Sequence, residues 1–329
     1  MTNPSRFGAL LVLLLAASCA GPSSTLPAPG AHSSAERSAA SPGGAGLLIM
    51  AHGGSPEWNA AVGDAVAPLR GRLPTALALG MADPATLRSS LDSLRARGVQ
   101  RVAVVRLFMS GASFRHQTEY LLGLRDDPPA EPLLHHGRGG HGGLLPLSHG
   151  MEIALSTQGL GESEVGGEIL VDRARRLSRD AARESVILVA HGMGDEEEND
   201  QVLDYMRRTT EALGRMGFRG VHAATLREDW PEARVRAEKE IRGWVAQSSA
   251  RGERTLVVPY RLSGFGPYAE VLGGLDYTPA EGLLPHPLVT RWIEEEALRL
   301  LCTEGGAEGA SCRARVTGVE LGARVRVPS

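Results

Sequence analysis

The sequence predicts an α/β fold of two similar lobes, each a small doubly wound parallel sheet, and three observations predict it. "LLIMAHGGSPEWN" at 47–59 and "ILVAHGMGDEEEN" at 187–199 echo one another, each running apolar into Ala-His-Gly and then through a polar loop to Asn. Two further echoes follow in the same order: 75–98 with 221–244, and "VVRLFMSG" (104–111) with "VVPYRLSG" (257–264), so an internal repeat is expected. Short apolar runs also alternate throughout with amphipathic helical stretches, the signature of βαβ units.

Taken in order, the first half reads as strand 47–51, helix 60–72, strand 76–79, helix 85–97, strand 102–108 and helix 116–124. The second half repeats the series as 186–190, 201–216, 221–226, 231–247, 255–260 and 268–275. "GMEIALS" (150–156) and the helical "GGEILVDRARRLS" (166–178) supply one more strand and helix between the halves. Asp83 and Asp229, each with a nearby Pro, read as helix N-caps, and the acidic run 195–198 reads as a solvated loop or a helix N-terminus.

Outside the lobes, Arg6 precedes "FGALLVLLLAA", too short for a comfortable membrane span and suited to a signal-peptide core. It runs into Ala16-Ala17-Ser18-Cys19, which resembles the bacterial lipobox, with Cys19 the lipidated residue; the alternative is ordinary secretion with cleavage near Ala17 or Ala20. Residues 20–46 carry almost no large apolar side chain and read as a disordered tether. The chain thus divides into signal peptide 1–19, tether 20–46, first lobe 47–134, a His- and Gly-rich loop 135–149, second lobe 150–300 and tail 301–329. Cys302 and Cys312 are expected to pair in an oxidising compartment, the alternative being two free thiols. A formal charge of −3 gives no electrostatic case for a nucleic-acid partner.

In an open parallel sheet, ligands sit beyond the carboxyl ends of the strands. His52 and His191 each follow the last apolar residue of a strand, and the glycines after them let the backbone turn sharply. These residues, with the "VVxLxxSG" strand running into a helix and "HPLVTRW" (286–292), resemble the class II chelatases, the sirohydrochlorin cobaltochelatases and ferrochelatases and their duplicated, two-lobed forms. The resemblance covers about residues 46–298. It implies that His52 binds a metal and takes part in its insertion into a tetrapyrrole, with His191 as its counterpart in the second lobe. The family's second metal-binding His falls in "SGASFRHQTE", where this chain has Ala112 or Ser113; His116 lies a few residues on, with Glu119 at a helical spacing of three. The second lobe has Phe265, Gly266 and Pro267 at the matching place.

Metal insertion needs an ion held by few protein ligands and a base for two pyrrole protons. Imidazole and carboxylate suit both tasks, and imidazole suits divalent cobalt, nickel, iron or zinc. His52, His116 and Glu119 make such a set, with Glu57 a further candidate and His52 expected to dominate over His191. The tract "HHGRGGHGGLLPLSH" (135–149) either collects metal ions or is a linker with incidental histidines. Three functions are carried forward: a chelatase-like protein acting on a metal ion and a tetrapyrrole, a non-catalytic envelope lipoprotein that binds either, and a solute-binding lipoprotein for an anionic small molecule.

Overall fold

The computed structural model describes residues 44–129, 145–302 and 306–317, with side chains left out for 306–308. The lipobox with Cys19, most of the tether and residues 135–144 of the His-rich tract lie outside the described residues.

The first half runs β1 (Ala45–Ala51), α1 (Pro56–Arg70), β2 (Thr75–Leu79), α2 (Pro84–Ala96), β3 (Arg101–Leu107), α3 (Arg115–Leu121), β4 (Glu152–Leu155) and α4 (Glu164–Leu177). The second runs β5 (Glu184–Ala190), α5 (Glu196–Arg215), β6 (Gly220–Thr225), α6 (Pro231–Ala250), β7 (Arg254–Tyr260), α7 (Tyr268–Val271), β8 (Thr278–Pro279) and α8 (Pro287–Leu301), followed by α9 (Gly306–Thr317). Two four-stranded sheets result, ordered β2-β1-β3-β4 and β6-β5-β7-β8, with every pair parallel. The two-lobed α/β fold expected from the sequence is the fold observed.

Helix starts follow local capping chemistry. Ser55 accepts from the Trp58 N–H with Pro56 opening α1, so this helix begins four residues before the expected 60. Asp195 accepts from the Glu198 N–H and places Glu196, Glu197 and Glu198 in the first turn of α5, where the helix dipole favours them. Asp83 caps α2 through the Thr86 N–H at 2.8 Å, as its sequence context predicts. Asp229 does not cap α6: the cap position is Trp230, with Pro231 next, and this corrects the sequence reading.

The central strands β1, β3, β5 and β7 are largely apolar because both of their faces are buried, and side chains alternate between faces at period two. Leu47, Ile49 and Ala51 of β1 and Val186, Leu188 and Ala190 of β5 enter one shared core that runs between the sheets. The intervening Leu48 and Met50 enter an outer core under α2, and Ile187 and Val189 one under α6.

The boundary drawn at residue 150 needs correction. β4 pairs with β3, so the first sheet takes its fourth strand from beyond the His-rich tract. The β4–α4 and β8–α8 units match each other: Leu160 and Gly161 donate to the Phe108 and Met109 carbonyls as Leu283 and Leu284 donate to those of Arg261 and Leu262. The two helices then exchange sides, α4 packing on β7 and α5, and α8 on β3 and α1. Likewise β1 begins at Ala45, two residues inside the stretch read as tether.

Cys302, at the end of α8, and Cys312, in α9, form a disulfide with a Cα–Cα distance of 5.6 Å.

Candidate functional site at the strand ends between the lobes

The register puts Ala51 level with Leu107 and Leu79, and Ala190 level with Tyr260 and Thr225, so His52 and His191 leave their sheets at the carboxyl edge. Gly53 (φ +76) and Gly192 (φ +90) make the turn in the left-handed region. At Gly192 there is also no room for a side chain, since a Cβ would lie 2.9 Å from Thr225 and 3.0 Å from Arg227.

Both histidines have the same local geometry. Nδ1 of His52 lies 3.0 Å from the Gly53 carbonyl, and Nδ1 of His191 lies 2.8 Å from that of Gly192. A carbonyl only accepts, so this contact puts a proton on Nδ1 and leaves Nε2 as a lone pair in the neutral ring or a second N–H donor in the imidazolium. Each ring also meets an aromatic edge: Phe114 for His52 at 6.4 Å between centroids, and Trp230 for His191 at 6.0 Å.

What faces Nε2 differs. His191 Nε2 lies 3.2 Å from Asp229 Oδ2 and 3.9 Å from Glu228 Oε2. A nitrogen lone pair and a carboxylate oxygen so close call for a cation between them, either a proton or a metal ion. His52 is exposed, and its expected partners are not gathered around it. Glu119 is held in an ion pair by Arg115 at 2.7 Å, and His116 is exposed on α3. Glu57 lies in the first turn of α1, its carboxyl held below the usual range by a hydrogen bond with Ser55. Among the described residues, no group of three or more His, Cys, Asp or Glu side chains is arranged to hold a metal ion, so the set His52, His116 and Glu119 is not assembled. His149 of the His-rich tract serves the chain itself, with Nε2 on the Leu122 carbonyl at 3.1 Å and Nδ1 accepting from the Met151 N–H.

A cavity of 280 Å³ opens between the lobes, lined by Ser110 and Ser113 on one side and by His191, Met193, Tyr205 and Tyr260 on the other. A larger groove of 670 Å³ adjoins it across Glu162 and Tyr205, between α4, α5 and the start of α8, and contains neither strand-end histidine. Of the two, only the smaller cavity is lined by a strand-end histidine, His191, and neither Glu228 nor Asp229 lines it.

The first-lobe wall is fixed by two residues that the sequence pattern does not single out. Glu162 accepts from Ser110 Oγ and the Gly111 N–H at 2.8 Å, and from the Gly159 N–H at 2.9 Å. Beneath the loop, Arg106 is 1% exposed and donates to the Gly111 carbonyl at 2.8 Å and to that of Ser113. Burial, with the Arg115 charge nearby, lowers Arg106 to about 10, against the pull of Glu119 and Glu162. Both residues escape a sequence reading because an Arg inside an apolar strand and a Glu in a Gly-rich loop acquire their roles only when β4 closes on β3. Glu228 and Asp229 had a readable signal: "LREDWPE" puts two acids directly after β6, where the first lobe has "GMADPA" after β2.

No protein-family model matches the chain, and no curated protein matches it in sequence. Solved structures do match. SirB from Bacillus subtilis, solved with Fe3+, is 13% identical with a TM-score of 0.54, over 84% of this chain and 98% of that one. The sirohydrochlorin chelatase SirB from Bacillus subtilis subspecies spizizenii, in complex with cobalt, is 12% identical with a TM-score of 0.53, over 78% and 95%. A multi-domain protein from Deinococcus radiodurans with structural similarity to chelatases is 21% identical with a TM-score of 0.47, over 80% of this chain and 55% of that longer one. At these identities the likeness is one of fold.

Proposed function

We propose that this protein takes a divalent transition metal, cobalt, nickel, iron or zinc, together with a tetrapyrrole into the cleft between its lobes, and that the second lobe supplies the metal-side chemistry. The observation that carries the reading is His191, with Nδ1 on the Gly192 carbonyl and Nε2 turned to Asp229 and Glu228 at the rim of the interlobe cavity. One imidazole with one adjacent carboxylate, Asp229, is fewer than three protein ligands, which suits an ion passed on as substrate, its remaining positions going to pyrrole nitrogens. Insertion of a divalent ion releases two protons, and the same carboxylate and imidazole are placed to accept them. The fold's likeness to sirohydrochlorin chelatase structures that contain Fe3+ and cobalt supports the choice of ligands.

The signal sequence read at 1–19 favours a second reading, in which an exported lipoprotein tethered through Cys19 binds metal or tetrapyrrole without insertion. Calorimetry of the mature chain with cobalt(II), with and without sirohydrochlorin, tests both. Cobalt binding together with growth of the metallated chromophore supports insertion, binding without turnover supports the second reading, and no cobalt binding defeats both. Cys19→Ala tests the tether: the variant leaves the membrane fraction, and one that still pellets after a high-salt wash defeats the lipid anchor.

A further inference from the structure

We infer that the interlobe cavity is a binding site for a small organic cation, an ammonium group on a compact apolar body, with Glu198 as its counter-charge and the Tyr205 ring as its wall. The inference goes beyond the metal and tetrapyrrole reading and requires neither ligand.

The site arises from a change of residue type along one helix. Two pairs of hydrogen bonds fix how α1 and α5 correspond. Ser55 accepts from the Trp58 N–H as Asp195 does from the Glu198 N–H, and Asn59 Oδ1 accepts from the Gly54 N–H as Asn199 Oδ1 does from the Met193 N–H. Trp58, Ala61, Val62 and Ala65 therefore match Glu198, Gln201, Val202 and Tyr205, a stripe at helical spacing. In the first lobe the stripe packs into the shared core, and the Ala65 carbonyl accepts from Thr290 Oγ1 of α8 at 2.8 Å. In the second lobe the same positions line the 280 Å³ cavity, and Tyr205 is 41% exposed. α4 closes on α5 one turn beyond, where a Cβ on Gly167 would lie 3.0 Å from Thr209 Oγ1.

The lining sets the charge of what enters. Glu162 and Glu198 are its acids, and among the described residues no Lys or Arg lines it. Glu162 is engaged by Ser110 and by the Gly111 and Gly159 N–H groups, whereas the Glu198 carboxylate has no ion-pair partner among the described residues. Nearby cations are turned elsewhere: Arg106 to the Gly111 and Ser113 carbonyls, Arg227 to Glu196 at 2.9 Å, and Arg208 to the adjoining groove. A proton taken up by His191 is balanced by Asp229 at 3.2 Å. Burial, and after it the Glu162 charge, push the Tyr205 hydroxyl up against the pull of Arg208, so the acidic field reaches the ring.

A carboxylate ligand meets repulsion in such a lining. An ammonium group meets the Glu198 charge, and its apolar substituents meet the Tyr205 ring and the thioethers of Met109 and Met193. The volume sits at the small end of ligand sites, which run to about 300–1,000 Å³, so the cation is a compact one.

Choline and its uncharged isostere dimethylbutanol, in which carbon replaces the nitrogen, are the probes, with benzyltrimethylammonium as a cation of larger apolar body. Each is titrated into the full chain by calorimetry. Both cations are expected to bind roughly 10-fold or more tightly than the alcohol. Glu198→Gln should weaken them roughly 10-fold and remove most of the salt dependence. Tyr205→Leu should weaken them roughly 5-fold, Tyr205→Phe should bind as wild type does, and Gln201→Lys, which puts a cation in the wall, should abolish binding. Failure of both cations to bind overturns the inference, as does an alcohol that binds equally well or a Glu198→Gln variant with wild-type affinity. If Tyr205→Leu does not fold, as judged by circular dichroism, Glu198→Gln and Gln201→Lys decide by the same readout. Cobalt(II) binding is measured separately, so the organic-cation site and the metal reading can each fail alone.

Discussion

The two lobes share a backbone and differ in chemistry. Each places a histidine after its second-from-edge strand, ties Nδ1 to the next residue's carbonyl and sets an aromatic edge beside the ring. Beyond Nε2 they part. The first lobe sets Phe114, itself packed on Phe108, beside its histidine, and the second presents Asp229 and Glu228 with Arg261 behind them. The difference teaches that a strand-end histidine is a property of the fold, whereas its use depends on the loop from the neighbouring strand. In the first lobe that loop turns Asp83 away to cap α2; in the second, an extra residue, Trp230, takes the cap position and leaves Asp229 free to face His191.

The sharpest way to break this comparison is to remove each histidine in turn. His191→Ala should lower cobalt insertion, or cobalt affinity where there is no turnover, by roughly 100-fold, the scale of losing a ligand and proton acceptor together, while His52→Ala stays within about 2-fold. Equal losses would mean that both lobes serve one central site, and the opposite ranking would restore the first lobe as the metal side.

A second test asks whether the lobes are separable as folds. Ile49→Ala in β1 and Leu188→Ala in β5 remove side chains that are 0% exposed in the shared core. Each should cost about 2–5 kcal/mol, and both should lower one common urea transition. Two resolved transitions, each sensitive to only one substitution, would show lobes that unfold independently.

The disulfide distinguishes the ends of the two halves, since it fastens α9 to α8 and the first half ends at α4 without such a staple. Cys302→Ala/Cys312→Ala is expected to lose about 2–3 kcal/mol on the chain-entropy estimate, measured by urea melts. Unchanged stability would mean that α9 adds nothing to the fold.

The smallest expected effect concerns the tie between the exchanged helices. His286 caps α8, Nδ1 accepting from the Leu288 N–H at 3.2 Å and Nε2 facing Asp172 Oδ2 of α4 at 3.1 Å. Burial raises the Asp172 carboxyl, but hydrogen bonds from Arg175 and His286 and the charges of Arg176 and Arg175 outweigh it and hold the group at about 2. A carboxylate with a depressed folded-state value stabilises the fold above its unfolded value of about 3.9 and loses that contribution as pH falls toward 2. Asp172→Asn should therefore cost on the order of 1–2 kcal/mol at pH 7, and the gap to wild type should close as pH falls from 4 to 2. A gap that stays constant with pH would show that the ion pairs contribute nothing and that α4 and α8 are held by packing alone.

Much of the fold was legible because apolar runs and helical periods are local signals. β1, β5, β3 and β7 lie where the pattern puts them, and the echo of Ala-His-Gly locates both turns. The partners of β4 were not legible. "EIAL" says that a strand forms, but only hydrogen bonding to β3 says which sheet it completes. The candidate site was half legible for the same reason: both histidines are found by position, and the choice of His52 over His191 followed from His116 and Glu119 standing nearby in sequence. In space, Glu119 goes to Arg115, one helical turn away, and the carboxylates that stand beside a strand-end histidine come from the loop after β6.

What the sequence by itself determined is what local physics determines. Both faces of each central strand are buried, so its run is apolar; caps open helices at Ser55, Asp83, Asp195 and Ser163; a left-handed turn demands glycine after each histidine. Only the tertiary structure decided that α4 and α8 exchange lobes, that the two sheets share one core, and that His191 rather than His52 meets carboxylates. Those outcomes depend on which of several chemically equivalent partners comes within about 4 Å, the range over which a charge pair is strong, and that distance is set by how parallel strands far apart in sequence line up side by side.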